Sequence, residues 1–81
     1  MTVAAVADPS LPLGAQLRAR RELLGLSLRD VAVAADGSLS WQAVARIESG
    51  ERKPAAASLV GLARGLDCSF VVDADGVRIE G

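Results

Sequence analysis

Residues Leu26–Pro54 read LSLRDVAVAADGSLSWQAVARIESGERKP, and this stretch decides the architecture. Ser27 has a side chain suited to capping a helix start, and Asp30, in the first turn after it, sets a carboxylate against the positive end of the helix dipole. Val31 and Ala35 then fall on the inward side, and Ala32 is small enough to let another helix approach. Asp36-Gly37-Ser38 reads as a turn, plugged by Leu39. Ser40 caps a second helix over Trp41–Ser49, in which Val44 and Ile47, spaced i, i+3, face the core. Trp41, Gln42, Ala45 and Arg46 lie off that stripe. Gly50 stops the helix, and the loop Glu51-Arg52-Lys53-Pro54 leads away. The pattern predicts two short helices, Leu28–Ala35 and Trp41–Ser49, the second with a polar outer edge.

The flanks supply the rest of a small domain. Leu13, Leu17 and Leu24 share one helical face, which predicts a helix over Leu13–Leu24 ended by Gly25. A fourth helix is expected over Ala56–Gly65, with Leu59, Leu62, Ala63 and Leu66 inward. The period then changes. Cys68–Val72 and Val77–Glu80 are β-rich and flank the turn signal Asp73-Ala74-Asp75-Gly76, so the chain should finish in a β-hairpin. The expected organisation is a loose arm over 1–12, a helical domain over 13–66 and a hairpin tail over 67–81. An isolated hairpin is marginal in water, so this one must pack on the helices or pair with a second copy. The latter assigns Phe70, Val71, Val72, Val77 and Ile79 to a dimer interface.

Composition narrows the function. Eighty-one residues suffice for one domain with a marginal core, and only Trp41 and Phe70 are aromatic. There is no His, and Cys68 is the one Cys, so the chain can form neither an intrachain disulfide nor a Cys/His zinc cluster, and no imidazole is present to activate the thiol. With no phosphate-cradling Gly-rich loop either, no enzyme and no cofactor or metal is expected. No run of about 18 apolar residues exists and Thr2–Ala7 lacks a basic leader, so the expectation is a cytoplasmic protein with no membrane association. The formal charge is −1. Its distribution is uneven: Leu11–Gly65 carries eight basic residues against five acidic, whereas Leu66–Gly81 carries Asp67, Asp73, Asp75 and Glu80 against Arg78. Attraction to a polyanion follows local rather than net charge.

The motif L-S-x-x-x-V-A at Leu26–Ala32, the motif S-x-x-x-V-x-R-I-E-x-G at Ser40–Gly50 and the basic loop to Pro54 together resemble the Cro/phage-repressor (XRE) family of helix-turn-helix proteins. The resemblance covers about Leu13–Leu66 and implies a mainly α, four-helix lambda-repressor-like domain. It also implies that Trp41–Ser49 is a recognition helix aimed by Ser40, with Trp41, Gln42, Ala43 and Arg46 as DNA base contacts. The chemistry suits the roles. Gln pairs bidentately with adenine, Arg with guanine, and Ala touches a thymine methyl. Ser27, Arg29, Ser40, Arg52 and Lys53 are then phosphate contacts, which position without specifying. By the same resemblance Arg21 and Glu48 form a structural ion pair bracing the recognition helix. Two features depart from the family pattern: Leu28 stands where Gln or Arg often touches a phosphate, and the turn at Asp36-Gly37-Ser38 is about two residues longer than usual, by comparison with the tight form of the motif.

The expected function is a sequence-specific transcriptional regulator, a repressor in its simplest form. It would bind double-stranded DNA as a homodimer on an inverted repeat, with recognition helices about 34 Å apart. A second reading keeps the fold but makes it a protein-interaction module or antitoxin, whose partner is a protein such as a toxin. The acidic tail suits that reading.

Overall fold

The structure, a computed structural model, describes residues 12–35, 37, 39–74 and 76–80. The expected arm (apart from Pro12), the turn residues Asp36 and Ser38, the hairpin residue Asp75 and the terminal Gly81 lie outside these. Four helices, α1 (Leu13–Leu23), α2 (Leu28–Ala34), α3 (Trp41–Ser49) and α4 (Ala56–Gly65), precede an antiparallel hairpin of β1 (Ser69–Asp73) and β2 (Gly76–Glu80). The mainly α class and the C-terminal hairpin expected from periodicity are what the chain forms. Helix ends differ from expectation by a residue at Leu24 and Ala35, each of which is a C-cap.

The core joins all six elements. Leu17, Val31, Leu39, Ala43, Val44, Ile47, Leu62, Leu66 and Ile79 form one buried cluster, edged by Leu13, Leu26, Leu28, Ala32, Cys68 and Phe70. Full burial of a Val, Leu or Ile side chain is worth roughly 1.5–3 kcal/mol, so these aliphatic residues supply the main cohesive term. Leu28, anomalous as a phosphate-contact position, is accounted for: it packs against this core.

Helix α1 departs from its apolar pattern. Leu24, inward by periodicity, is exposed, as is Leu23. The buried face is instead Leu17 with the polar residues Gln16 and Arg20. Each polar group reaches backbone that no helix or ladder satisfies. Arg20 donates through Nε to the Leu66 carbonyl at 2.9 Å and through a terminal nitrogen to the Asp67 carbonyl at 2.7 Å. These carbonyls close the C-terminal end of α4, where Asp67 takes a positive φ of 49°, and a cation suits a helix C-terminus. Gln16, 1% exposed, accepts from the Ile79 N–H at 3.0 Å and donates to the Val77 carbonyl at a longer 3.5 Å. It thereby clips β2 to α1.

The hairpin pairs Phe70 with Ile79 and Val72 with Val77, so these four side chains share one face. That face folds back over α1, and Ile79 is only 2% exposed within a single chain. The assignment of Ile79 to a dimer interface is therefore corrected: its side chain is core. Phe70 is half-buried against the same core, Val71 and Val77 are half-buried, and Val72 overhangs it at 71% exposure. On the opposite face Arg78 bridges Asp73 at 2.5 Å and Glu80 at 3.3 Å.

Gly14 sets the seating of α1 on α3. A Cβ there would drive into the carbonyl oxygens of Ile47 and Glu48, which are backbone atoms that cannot rotate aside. Gly14→Ala should therefore lower stability by about 1–3 kcal/mol or more, the cost of overpacking a rigid contact. Urea unfolding measures this, and an unchanged midpoint would show that α1 can shift freely.

Candidate nucleic-acid interface

Serine-capped starts align α2 and α3. Ser27 Oγ accepts from the Asp30 N–H at 3.0 Å, and the Asp30 carboxylate accepts from the Ser27 N–H at 2.8 Å. This is a complete capping box, with Asp in the place usually held by Glu or Gln. The spacing S-x-x-D is its signal in the sequence. The two Ser27 hydrogen bonds, first to its backbone and then to its side chain, hold the Asp30 carboxyl below the usual carboxylate range. Ser40 Oγ accepts from the Ala43 N–H at 3.1 Å, which starts α3. Gly50, at φ 85°, ends it in the left-handed conformation that glycine adopts without strain.

The inward stripe of α3 is Ala43, Val44 and Ile47. Ala43 is 5% exposed and belongs to the core cluster. Its assignment as a base contact is corrected accordingly, because its methyl already packs against the protein. The outward edge carries Trp41, Gln42, Arg46 and Ser49, all exposed, with Ala45 half-buried beside them. Trp41 is 38% exposed, and the Arg29 guanidinium of α2 lies over its ring, 5.4 Å from the centroid. This distance suits a cation–π contact. Trp41 thus sits at the surface beside a cation.

Behind this edge, Arg21 and Glu48 meet. Arg21 Nε and a terminal nitrogen donate to the two Glu48 carboxylate oxygens at 2.7 and 3.0 Å, and the other terminal nitrogen donates to the Leu26 carbonyl at 3.0 Å. Both side chains are largely buried. The hydrogen bonds that Arg21 donates to Glu48 raise its pKa above the ordinary value, against the opposing effect of burial. One guanidinium fork therefore holds α1, the loop before α2 and the last turn of α3 in a fixed relation.

The cations divide by location. Arg20 and Arg21 are spent inside the protein, and Arg18 pairs with Glu22 along α1 at 3.4 Å. Arg29, Arg46, Arg52 and Lys53 are exposed on the two capped helices and the loop after α3. Ser27 and Ser40 are exposed at the helix starts. Composition does not reveal that two of the arginines are internal; their signal is their place three and four residues after the buried Leu17, on the same side of α1. Cys68 is half-buried, and desolvation pushes its thiol up, with Arg20 opposing, so it stays protonated at neutral pH. This is a packing environment. Among the described residues no group of three or more His, Cys, Asp or Glu could hold a metal, and no helix is long and apolar enough to cross a membrane.

A family model described as helix-turn-helix matches residues 17–72, more than half of the chain. The chain belongs to the Cro/C1-type helix-turn-helix family. It is accordingly a DNA-binding transcription regulator of the XRE type. No curated protein and no solved structure gives a significant match. The matched segment begins at the buried Leu17 and ends in β1, so α2, α3 and the Arg21–Glu48 pair fall within it.

Two measurements test the bracing. Glu48→Ala strands the Arg21 charge and should cost roughly 3–5 kcal/mol, whereas adding Arg21→Ala to it should cost little more. Additive losses in a double-mutant cycle would deny the coupling. The Asp30 carboxyl is held low in the folded chain, so the stability it contributes is present above its unfolded pKa of about 3.9 and is lost as pH falls through the folded value. Asp30→Asn should remove that component of the acid dependence, seen as a flatter stability profile in denaturant titrations below about pH 5.

Proposed function

We propose that this regulator reads its operator through Gln42 and Arg46, with Trp41 at the edge of the contact. Arg29, Arg52, Lys53 and the capped starts at Ser27 and Ser40 then engage phosphate. The supporting observation is the composition of the exposed edge of α3. It carries a bidentate amide and a bidentate guanidinium one helical turn apart, on a helix whose opposite side is fixed by Ile47, Val44 and the Glu48 pair. In a major groove, such groups meet adenine N6/N7 and guanine O6/N7 edges. Trp41 presents an indole N–H, a donor suited to a phosphate or sugar oxygen.

In this reading the protein acts as a homodimer. Two copies of α3 enter successive major grooves of an inverted repeat, and occupancy of the promoter represses transcription. The acidic tail keeps the second reading in view, that of a fold whose partner is a protein such as a toxin. The two differ in salt response, since phosphate neutralisation makes DNA affinity fall steeply with salt.

Selection of bound duplexes from a random pool should yield a palindromic consensus. Arg46→Ala should relax preference at one position of each half-site, by about 1–3 kcal/mol of discrimination, while stability stays within about 0.5 kcal/mol because the side chain is exposed. Arg29→Ala, Arg52→Ala and Lys53→Ala should weaken binding alike on all sequences, and each should lower the salt slope by about one. Unchanged specificity in Arg46→Ala, or binding indifferent to salt, would overturn the proposal.

A further inference from the structure

The two outer edges of the hairpin are not equivalent. Gln16 takes the Ile79 N–H and the Val77 carbonyl, so these backbone groups point away from β1. In an antiparallel ladder, outward-pointing residues alternate with those bonded to the neighbouring strand, and directly opposite residues behave alike. Ile79 and Val77 pair with Phe70 and Val72. The N–H and C=O groups of Phe70 and Val72 must therefore point outward from β1. Among the described residues nothing bonds to them there. A side-chain amide engages two of the outward groups on the edge of β2, and the edge of β1 is open.

We propose that the open edge of β1 is the dimer interface and that it pairs antiparallel with the same edge of a second copy, about a two-fold axis through Val71. This rests on the dimeric reading given above and names the surface that serves it. The strand is self-complementary in that register. Val71 lies opposite the partner's Val71, and Phe70 opposite the partner's Val72. The two pairings of Phe70 with Val72 exchange about four backbone hydrogen bonds. Val72, at 71% the most exposed residue of the hairpin's apolar face, gains the partner's Phe70 as its neighbour on that face. Asp73 lies opposite the partner's Ser69, so no carboxylates oppose one another, and Arg78 already balances Asp73 within each chain.

The neighbouring registers that keep the same hydrogen-bond parity fit less well. A two-fold axis through Phe70 shortens the ladder, leaving Val72 and Asp73 without a strand partner because the residues they would face precede β1. An axis through Val72 sets Val71 opposite the partner's Asp73 and leaves Ser69 without a strand partner. The open edge is only five residues long, and its apolar part is Phe70-Val71-Val72. A second copy supplies the matching strand without any further partner.

Single-cysteine variants of the full chain, made in a Cys68→Ser background, test the register. Val71→Cys should oxidise to a disulfide-linked dimer, because a closely spaced non-hydrogen-bonded pair brings the two Cα atoms within bridging range. Phe70→Cys and Val72→Cys should cross-link far less. Val72→Pro removes an outward N–H without touching the bonds to β2, and Val72→Lys places a charge on the joint at an exposed, fold-tolerant position. Each should weaken self-association about tenfold or more in sedimentation equilibrium, the equivalent of one or two missing hydrogen bonds. Wild-type association in both variants, or preferential cross-linking through position 70 or 72, overturns the proposal. So does a chain that is monomeric at all concentrations; if it still selects a DNA sequence, base reading by α3 stands without this interface. A dimer that Val72→Pro dissociates but that selects no DNA sequence supports the interface and sinks the operator reading.

Discussion

The bidentate contact between Arg21 and Glu48 governs the geometry of this domain. A recognition element is useful only if its outward edge holds one orientation, and α3 is too short to hold itself. The guanidinium grips the last turn of α3 and the loop before α2 together. Gly14 lets α1 come close enough for that grip by admitting the backbone of Ile47 and Glu48 where a side chain would stand. Charge pairing and steric permission thus act at the same joint. The first supplies directional hydrogen bonds, and the second sets how near the helices lie.

Internal use of arginine also reshapes the electrostatics. The helical body looks basic in composition, but Arg20 and Arg21 face carbonyls and a carboxylate inside the protein. The exposed cations of the two capped helices and the following loop are Arg29, Arg46, Arg52 and Lys53. Arg29 over the Trp41 ring sets a cation beside the first turn of α3, and both capped helices start nearby, where backbone N–H groups favour anions. Exposed cations thus flank both ends of α3 on a nearly neutral molecule, which suits positioning over unspecific adhesion.

Much of this is legible in the sequence. Ser27, Ser40, Gly25 and Gly50 mark helix ends by local chemistry, and Val31, Val44, Ile47 and Leu62 mark inward faces by spacing, so the elements match expectation nearly residue for residue. The face of α1 does not, because hydrophobic periodicity cannot see a polar residue buried to satisfy distant backbone. Gln16 and Arg20 are such residues, and Leu24 reads as inward only because it is apolar. Ala43 misleads for a related reason: a small residue beside the outer edge of a helix fits either side, and packing against Val44, Ile47 and the rest of the cluster decides. Ile79 shows that alternation in a hairpin identifies an apolar face without saying whether the same chain covers it.

The Gln16 amide has one more effect. It occupies the rim of β2 as a neighbouring strand would, offering an acceptor to Ile79 and a donor to Val77. A ribbon with both rims unoccupied is a template for open-ended stacking, the route by which small β-rich tails form fibrils. With two of its outward groups already engaged from within, that rim is the poorer template for a further strand. In a pairing through the other rim, each end of the joined ribbon would carry its own Gln16, so the glutamine disfavours further growth at both ends.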